Sequence, residues 1–83
     1  MTLTINKYYH YYDKKYDDLL ITLNSHVPTY SDEVYNNIYL IYSEDDDEIV
    51  GVQIMYFRKR PLSILKEYLP DFLYDAVKEL KLK

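Results

Sequence analysis

The chain has 83 residues, of which 48% are hydrophobic, with no cysteine and a formal net charge of −4. This length allows one domain, the hydrophobic content excludes wholesale disorder, and the lack of cysteine excludes disulfides and thiolate metal sites. No apolar run approaches the roughly 20 residues that span a bilayer, so no membrane contact is expected. No basic-then-apolar leader precedes a small-residue cleavage site, so we expect a cytoplasmic protein without a signal peptide.

The charge is divided unevenly along the chain. Residues 1–57 carry ten acids and three lysines, a net charge of −7, whereas residues 58–83 carry seven bases and four acids, a net charge of +3. A mostly acidic surface argues against general binding to a nucleic-acid backbone. It permits electrostatic attraction to a basic protein partner.

The N-terminal part of the chain predicts a β-hairpin. Residues 2–5 and 8–12 favour a first strand, residues 13–18 are polar and rich in turn-favouring aspartate, and residues 19–23 are rich in β-formers. Asp13 and Asp17 are expected to accept hydrogen bonds from backbone N–H groups in this turn. Residues 24–33 are expected to form a loop, because Pro28 is excluded from a central strand.

A second hairpin is predicted from residues 34–42 and 49–57, with the run EDDDE (44–48) as a turn in water between two strands. Gly51, the only glycine, falls inside the return strand, where it marks a bulge or the close approach of a neighbour, for which a tyrosine side chain is the candidate. Alternation divides the return strand between two faces, with Val50, Val52 and Ile54 toward the helix and Ile49, Gly51, Gln53 and Met55 on the other side.

The C-terminal part of the chain predicts helix, because apolar residues recur at three-and-four spacing after Pro61. Pro70 either kinks one long helix or begins a second. The chain is therefore expected to be one α+β domain: an antiparallel meander of about four strands in residues 1–57, with a helical segment, 58–83, covering one face. The other face is half apolar, including Leu20 and Thr22, and is expected to invite a partner.

Two motifs resemble a known family. The first is Y-D-x-x-x-D-x-L-x-I-x-L, carried by Tyr12, Asp13, Asp17, Leu19, Ile21 and Leu23, and the second is YSEDDDEIVGVQI, residues 42–54. In this order they resemble the small bacterial and phage family catalogued as domain of unknown function 2283, over about residues 9–57. The resemblance implies an antiparallel meander with a short helix. Some members are encoded beside toxin-like proteins, which implies an antitoxin or regulatory role. The chain departs from the family pattern at Lys14, Glu48 and Gln53.

Catalytic and metal-binding chemistry is weakly supported. Calcium loops place their ligands at alternate positions around a glycine, whereas residues 44–48 are consecutive acids without one. His10 and His26 are the only histidines, and neither lies in a nucleophile motif. Asp13 and Asp17 could serve a paired-carboxylate hydrolase only if a pocket surrounded them. We therefore expect no enzyme activity, no cofactor and no metal.

We expect a non-catalytic protein-binding domain, antitoxin-like or inhibitor-like, that docks a basic partner such as a toxin or nuclease. The acidic hairpin turns would attract the partner, and the tyrosine-rich open face would supply apolar contact. The residues expected to touch the partner are Asp13, Asp17, Asp18, Tyr39, Glu44, Asp45, Asp46, Asp47, Glu48, Gln53 and Tyr56.

Two alternatives stay open. In one, the carboxylates mimic nucleic acid and block a nucleic-acid-binding enzyme, as a phage anti-defence inhibitor would. The carboxylates in question are those of Asp13, Asp17, Asp18, Asp32, Glu33 and residues 44–48. In the other, the chain is a homodimeric structural domain. Direct nucleic-acid binding would rest on Arg58, Lys59 and Arg60 beside Tyr56 and Phe57, and is not expected from three bases before a helix.

Overall fold

The computed structural model describes residues 8–23, without the side chain of Leu23, and residues 27–82. Five strands come first: β1 (Tyr8–Asp13), β2 (Asp18–Leu23), β3 (Thr29–Tyr35), β4 (Ile38–Ser43) and β5 (Ile49–Met55). A 3₁₀ turn (Phe57–Lys59) and two helices, α1 (Leu62–Tyr68) and α2 (Asp71–Lys81), follow. The α+β class is confirmed. The predicted strand at residues 2–5 and His26 lie outside the described residues.

The five strands form one antiparallel sheet in the order β1-β2-β5-β4-β3. The prediction of a four-stranded meander is wrong, because the last strand lies in the centre and joins two hairpins. Residues 34–42 are not one strand, since the chain turns at Asn36 and Asn37. Asn37 adopts a φ of 62°, which asparagine tolerates better than most residues.

The segment predicted as a loop contains β3, which begins directly after Pro28. Its first five residues are exposed, so no apolar alternation marks it in the sequence. β3 is an edge strand, which is the position in a sheet where exposed polar residues are tolerated. The return strand also ends earlier than predicted, at Met55, and Phe57 begins the 3₁₀ turn.

One face of the sheet carries the core. Six strand side chains are buried there: Leu19, Ile21, Ile38, Leu40, Val52 and Ile54. The 3₁₀ turn and the helices cover them with Phe57, Leu65, Leu69, Leu73 and Val77. The helical segment is split rather than kinked, because Pro70 stands at the N-cap of α2, where its missing N–H costs no helical hydrogen bond.

A bulge in β5 changes which side chains reach the core. Ile41 lies opposite Gly51 and Tyr42 lies opposite Ile49, so Val50 is the extra residue between them. Ile49 consequently packs against the core, whereas Val50 is buried outside the core cluster. The predicted division of the return strand is therefore wrong for Ile49 and Val50, because strict alternation takes no account of a bulge.

Gly51 is required by the close approach of β2. A Cβ atom at this position would lie 2.9 Å from the Cα of Thr22 and in collision with the carbonyl oxygen of Ile21. The predicted close approach is confirmed, but the neighbour is the backbone of β2 and not a tyrosine side chain.

The strand register separates the two acidic turns. Asp18 lies opposite Met55, and Ile38 lies opposite Ile54, so the β1–β2 turn, the β3–β4 turn and the 3₁₀ turn share one end of the sheet. We call this the basic end, because Lys14, Lys15, Arg58, Lys59, Arg60 and Lys81 lie there. Residues 44–48, which we call the acidic tip, connect β4 to β5 at the other end.

Candidate protein-binding surface

The face of the sheet opposite the core, here called the reverse face, is the main candidate surface. Register and alternation place on it Tyr9, Tyr11, Asp18, Leu20, Thr22, Tyr39, Ile41, Ser43, Gln53 and Met55, of which Ile41 and Ser43 are buried. None of these side chains belongs to the core cluster, and in the described part of the chain both helices pack on the other side. Tyr9 and Tyr11 are 58% and 57% exposed, which is high for large aromatic side chains in a sheet.

Polar contacts on the reverse face are made within the face. The Asp18 carboxylate accepts hydrogen bonds from the Gln53 Nε2 atom at 3.0 and 3.3 Å, which ties β2 to β5. The Tyr39 hydroxyl lies 3.5 Å from the Asn37 Oδ1 atom, a long contact. Three predicted contact residues, Asp18, Tyr39 and Gln53, therefore share this face.

The acidic tip projects its side chains into water. All five residues, Glu44, Asp45, Asp46, Asp47 and Glu48, are exposed. The backbone of the tip is held by hydrogen bonds from the Asp47 N–H to the Ser43 carbonyl at 2.8 Å and from the Ser43 N–H to the Glu48 carbonyl at 2.9 Å. The described residues contain no group of three or more histidine or acidic side chains positioned to hold a metal ion.

One tyrosine contacts the tip. The Tyr30 hydroxyl donates a hydrogen bond to the Asp47 carboxylate at 2.8 Å, and the Tyr30 ring stacks on Tyr42 with centroids 5.2 Å apart. The hydrogen bond to Asp47, then burial, raises the pKa of Tyr30 above its ordinary value, because the neutral phenol is the donor.

The β1–β2 turn is built into the fold. Asp13 accepts hydrogen bonds from the backbone N–H groups of Lys15 at 2.9 Å and Tyr16 at 3.3 Å, as predicted. Asp17 also accepts a backbone N–H, but the donor is Arg58, at 3.1 and 3.2 Å, and not a residue of the hairpin. The Asp17 carboxylate further accepts the Tyr12 hydroxyl at 2.6 Å.

Two arginines of the basic end donate hydrogen bonds to groups at the end of the sheet. The Arg58 Nε atom donates to the Tyr12 hydroxyl at 3.1 Å, and the Arg60 Nε atom donates to the Met55 carbonyl at 3.0 Å. The Arg60 guanidinium also donates to the Asn36 carbonyl. Two of the three bases in the candidate nucleic-acid segment are thus used within the fold, which weakens that alternative.

Lys81, the last residue of α2, binds the 3₁₀ turn. Its ammonium group donates to the carbonyls of Phe57 at 3.0 Å and Arg58 at 2.9 Å, and lies 5.2 Å from the centroid of the Phe57 ring. Burial lowers the pKa of Lys81, because the charged form is partly removed from water.

The hydrogen bond to Asp17 raises the pKa of Tyr12.

The predicted contact residues do not form one patch. Asp13, Asp17 and Asp18 lie at the basic end. The seven residues of β5, about 20 Å at 3.3 Å per residue, separate them from the acidic tip. Tyr56 also lies at the basic end, exposed, with a φ of 57°. The carboxylates named for a nucleic-acid mimic consequently lie at both ends of the sheet, with Asp32 and Glu33 on the edge strand β3.

Tyr9 and Tyr11 are exposed aromatic residues of the reverse face that the sequence prediction missed. The signal was present in the segment YYHYYD, because residues two apart in a strand share a face. Register was needed to show that this face is the one without helices, and register depends on partners far away in the sequence.

Comparisons with known proteins give no relative: no family model, curated protein or solved structure matches the chain significantly. The similarity to domain of unknown function 2283 therefore stays a prediction from two motifs. Among the described residues, neither helix is long and apolar enough to cross a bilayer.

Proposed function

We propose that the domain is a non-catalytic protein-binding module whose contact surface is the reverse face of the sheet. The observation that supports this most is that the helices of the described chain cover one side of the sheet only, leaving Tyr9 and Tyr11 more than half exposed on the other. Exposed aromatic and apolar side chains that lie together on one surface are typical of protein interfaces.

The composition of the reverse face suits recognition of a protein. Tyrosine contributes a large contact area, has few rotatable bonds and keeps a hydroxyl for hydrogen bonding. Leu20 and Met55 add apolar area, and the Asp18–Gln53 pair adds a polar contact whose geometry is already fixed. A partner would therefore carry an apolar patch with polar groups at its margin.

The acidic tip gives the partner a charge. Five exposed carboxylates at one end of the sheet attract a basic surface and accelerate encounter, an effect that salt screens within about 8–10 Å. A basic toxin or nuclease is the class of partner that fits this field. An antitoxin-like or inhibitor-like role is consistent with it and with the family resemblance.

Paired variants test the contact surface. The tagged domain captures a partner from a lysate of its host, the partner is identified, and affinity is then measured with purified proteins. We expect Tyr9→Ser with Tyr11→Ser to raise Kd at least tenfold, about 1.4 kcal/mol. The matched control is Tyr16→Ser, because Tyr16 is 63% exposed at the basic end and away from this face.

The expected result for the control is a Kd within twofold of the unaltered protein. Equal affinity of the double variant and the unaltered protein would contradict the proposed contact surface. Both variants must first give unchanged circular dichroism and unfolding curves, so that a loss of affinity is not a loss of fold.

A further inference from the structure

The outer edge of β1 has backbone groups that point away from β2, and the proposed function does not use them. The Met55 N–H donates to the Asn37 carbonyl at 3.0 Å, so the backbone groups of Met55 face β4. Backbone groups alternate between the two sides of a strand, so those of Ile54 and Val52 face β2. Ile54 and Val52 lie opposite Leu19 and Ile21, which therefore direct their own backbone groups to β5.

The same alternation fixes the outer edge of the sheet. Leu20 and Thr22 direct their backbone groups to β1, where Tyr11 and Tyr9 lie opposite them. The N–H and C=O groups of Tyr8, His10 and Tyr12 consequently point away from β2. No strand of the described chain pairs with this side of β1, which is the end of the sheet order.

The two sheet edges differ in how they are protected. β3 carries Asp32 and Glu33 and has a register shift between Glu33 and Tyr35, features that discourage pairing with another chain. Residues 8–12 of β1 contain no proline and no formally charged side chain when His10 is neutral, and the register of β1 with β2 is unbroken. A straight, uncharged aromatic edge is a template for strand pairing.

The core is also incompletely closed beside this edge. Phe72 of α2 contacts the Tyr8 ring, with centroids 6.1 Å apart, yet is 43% exposed, and Leu82 is 67% exposed. A cavity of about 480 Å³ opens between His10 and Tyr12 of β1 and Leu80 and Leu82 at the end of α2. Phe72, Ala76 and Leu80, at four-residue spacing, form one ridge of α2.

We propose that β1 pairs antiparallel with β1 of a second copy of this chain, about a two-fold axis that passes midway between the two His10 residues. Such an axis, perpendicular to the sheet, keeps like faces on the same side. His10 then lies opposite His10 of the second copy, and Tyr8 lies opposite Tyr12. This register uses all three outward-facing residues, and because each such pair exchanges two hydrogen bonds, the three pairs give about six.

We take a second copy as the occupant because its β1 is an edge of the same length, with the same unbroken register and no proline. The outward groups of Tyr8, His10 and Tyr12 are self-complementary about one centre, and the segment brings no like charges together although each copy carries a net charge of −4. The partner's β1 also places Tyr8 beside the mouth of the cavity and brings the two α2 ridges toward each other. The resulting ten-stranded sheet has the reverse faces of both copies on one side, opposite the described helices.

Proline at position 10 tests the edge specifically. His10→Pro removes an N–H that points outward and so leaves the β1–β2 ladder intact, whereas the matched Tyr11→Pro removes an N–H that is given to β2. In sedimentation velocity from about 1 to 300 μM, we expect the unaltered chain to approach twice the monomer mass and folded His10→Pro to stay monomeric. Tyr11→Pro should instead lower the unfolding midpoint.

A charge exchange tests the register and does not depend on proline being accommodated. His10→Lys and His10→Asp should each be monomeric, because like charges would lie directly opposite, and an equimolar mixture should recover the dimer. His10→Gln, which is neutral, should remain dimeric. The proposal would be overturned if the unaltered chain stayed monomeric across the whole range or if a dimer survived His10→Pro. It would also be overturned if either charged variant dimerised alone or if their mixture stayed monomeric. A monomer that instead accepts an extended peptide at β1 would overturn it too.

Discussion

Asp17 and Asp47 hold equivalent places in two turns at opposite ends of the sheet. Both have a positive φ, 55° and 60°, and both accept a tyrosine hydroxyl, from Tyr12 at 2.6 Å and from Tyr30 at 2.8 Å. Only Asp17 also accepts the Arg58 N–H with its carboxylate and the Phe57 N–H with its carbonyl. One aspartate joins three parts of the fold, and the other joins a turn to an exposed ring.

The difference shows that carboxylate content does not decide whether an acidic turn is structural or open to a partner. In the first turn, Asp13 and Asp17 accept backbone N–H groups, and Asp17 also accepts the Tyr12 hydroxyl. The five residues of the acidic tip are all exposed, and no arginine or lysine occurs in residues 27–57 around them. The first turn consequently stabilises the domain, whereas the carboxylates of the second are exposed.

The largest expected effect is the loss of stability when the aspartate of the first turn is replaced. Asp17→Ala should lower the free energy of unfolding by about 2–4 kcal/mol, because it leaves charge-assisted hydrogen bonds from Tyr12 and Arg58 unmade. Asp47→Ala should cost about 0.5–1.5 kcal/mol. Both variants place alanine at a positive φ, so that strain is shared and the difference measures the contacts. Urea unfolding monitors both; equal losses would contradict the account.

Removal of the tyrosine hydroxyls should have a smaller effect on stability, and the first turn should again lose more than the second. Tyr12→Phe should lower the free energy of unfolding more than Tyr30→Phe does, because the Tyr12 hydroxyl also accepts a hydrogen bond from Arg58. Thermal unfolding of both variants beside the unaltered protein provides the measurement. A larger loss for Tyr30→Phe would reverse the assigned roles of the two turns.

Alkaline pH extends the same comparison. The pKa values of Tyr12 and Tyr30 are raised above the ordinary 10.0, chiefly by hydrogen bonds to Asp17 and Asp47, so the folded state retains these protons longer than the unfolded state does. Their contribution is complete below pH 10 and is lost as the pH rises above 10 through the folded-state pKa. The lowered pKa of Lys81 acts oppositely, because stability rises between its folded-state pKa and 10.5.

Unfolding curves at successive pH values separate these contributions. Each tyrosine-to-phenylalanine variant should lose stability less steeply above pH 10 than the unaltered protein. A parallel decline in all three proteins would show that neither hydroxyl retains its proton in the way described.

The smallest expected effect on stability comes from the acidic tip. Replacing Glu44, Asp45 and Glu48 by their amides should change the free energy of unfolding by at most about 0.5 kcal/mol, because exposed charges without tight partners contribute little. The same variant should slow association with a basic partner, most clearly at low salt. Stopped-flow kinetics on an identified partner measures this, and a salt-independent association rate would contradict it.

Local chemistry made part of this fold predictable. Pro70 marks the break between helices because its ring and missing N–H prevent an uninterrupted helix, and Gly51 marks the close approach of β2. The β1–β2 hairpin follows from β-formers on both sides of an aspartate-rich turn.

Features that depend on distant partners were not predictable in the same way. The first five residues of the edge strand β3 are exposed and show no apolar alternation, and the Asn36–Asn37 turn lacks glycine. The central place of β5 is a pairing between segments more than thirty residues apart, such as Asp18 with Met55. Asp17 was expected to bond within its hairpin, but its donor, Arg58, is 41 residues away.

The central claim is that a partner contacts the side of the sheet opposite the described helices. Methyl NMR of the ¹³C-labelled domain, titrated with the identified partner, tests it most directly, because side-chain methyl groups report one face of a strand at a time. We predict that Leu20 and Met55 on the reverse face shift or broaden, whereas Leu62 and Leu80 on the helical side do not. Perturbation confined to Leu62 and Leu80, with Leu20 and Met55 unchanged, would contradict the account.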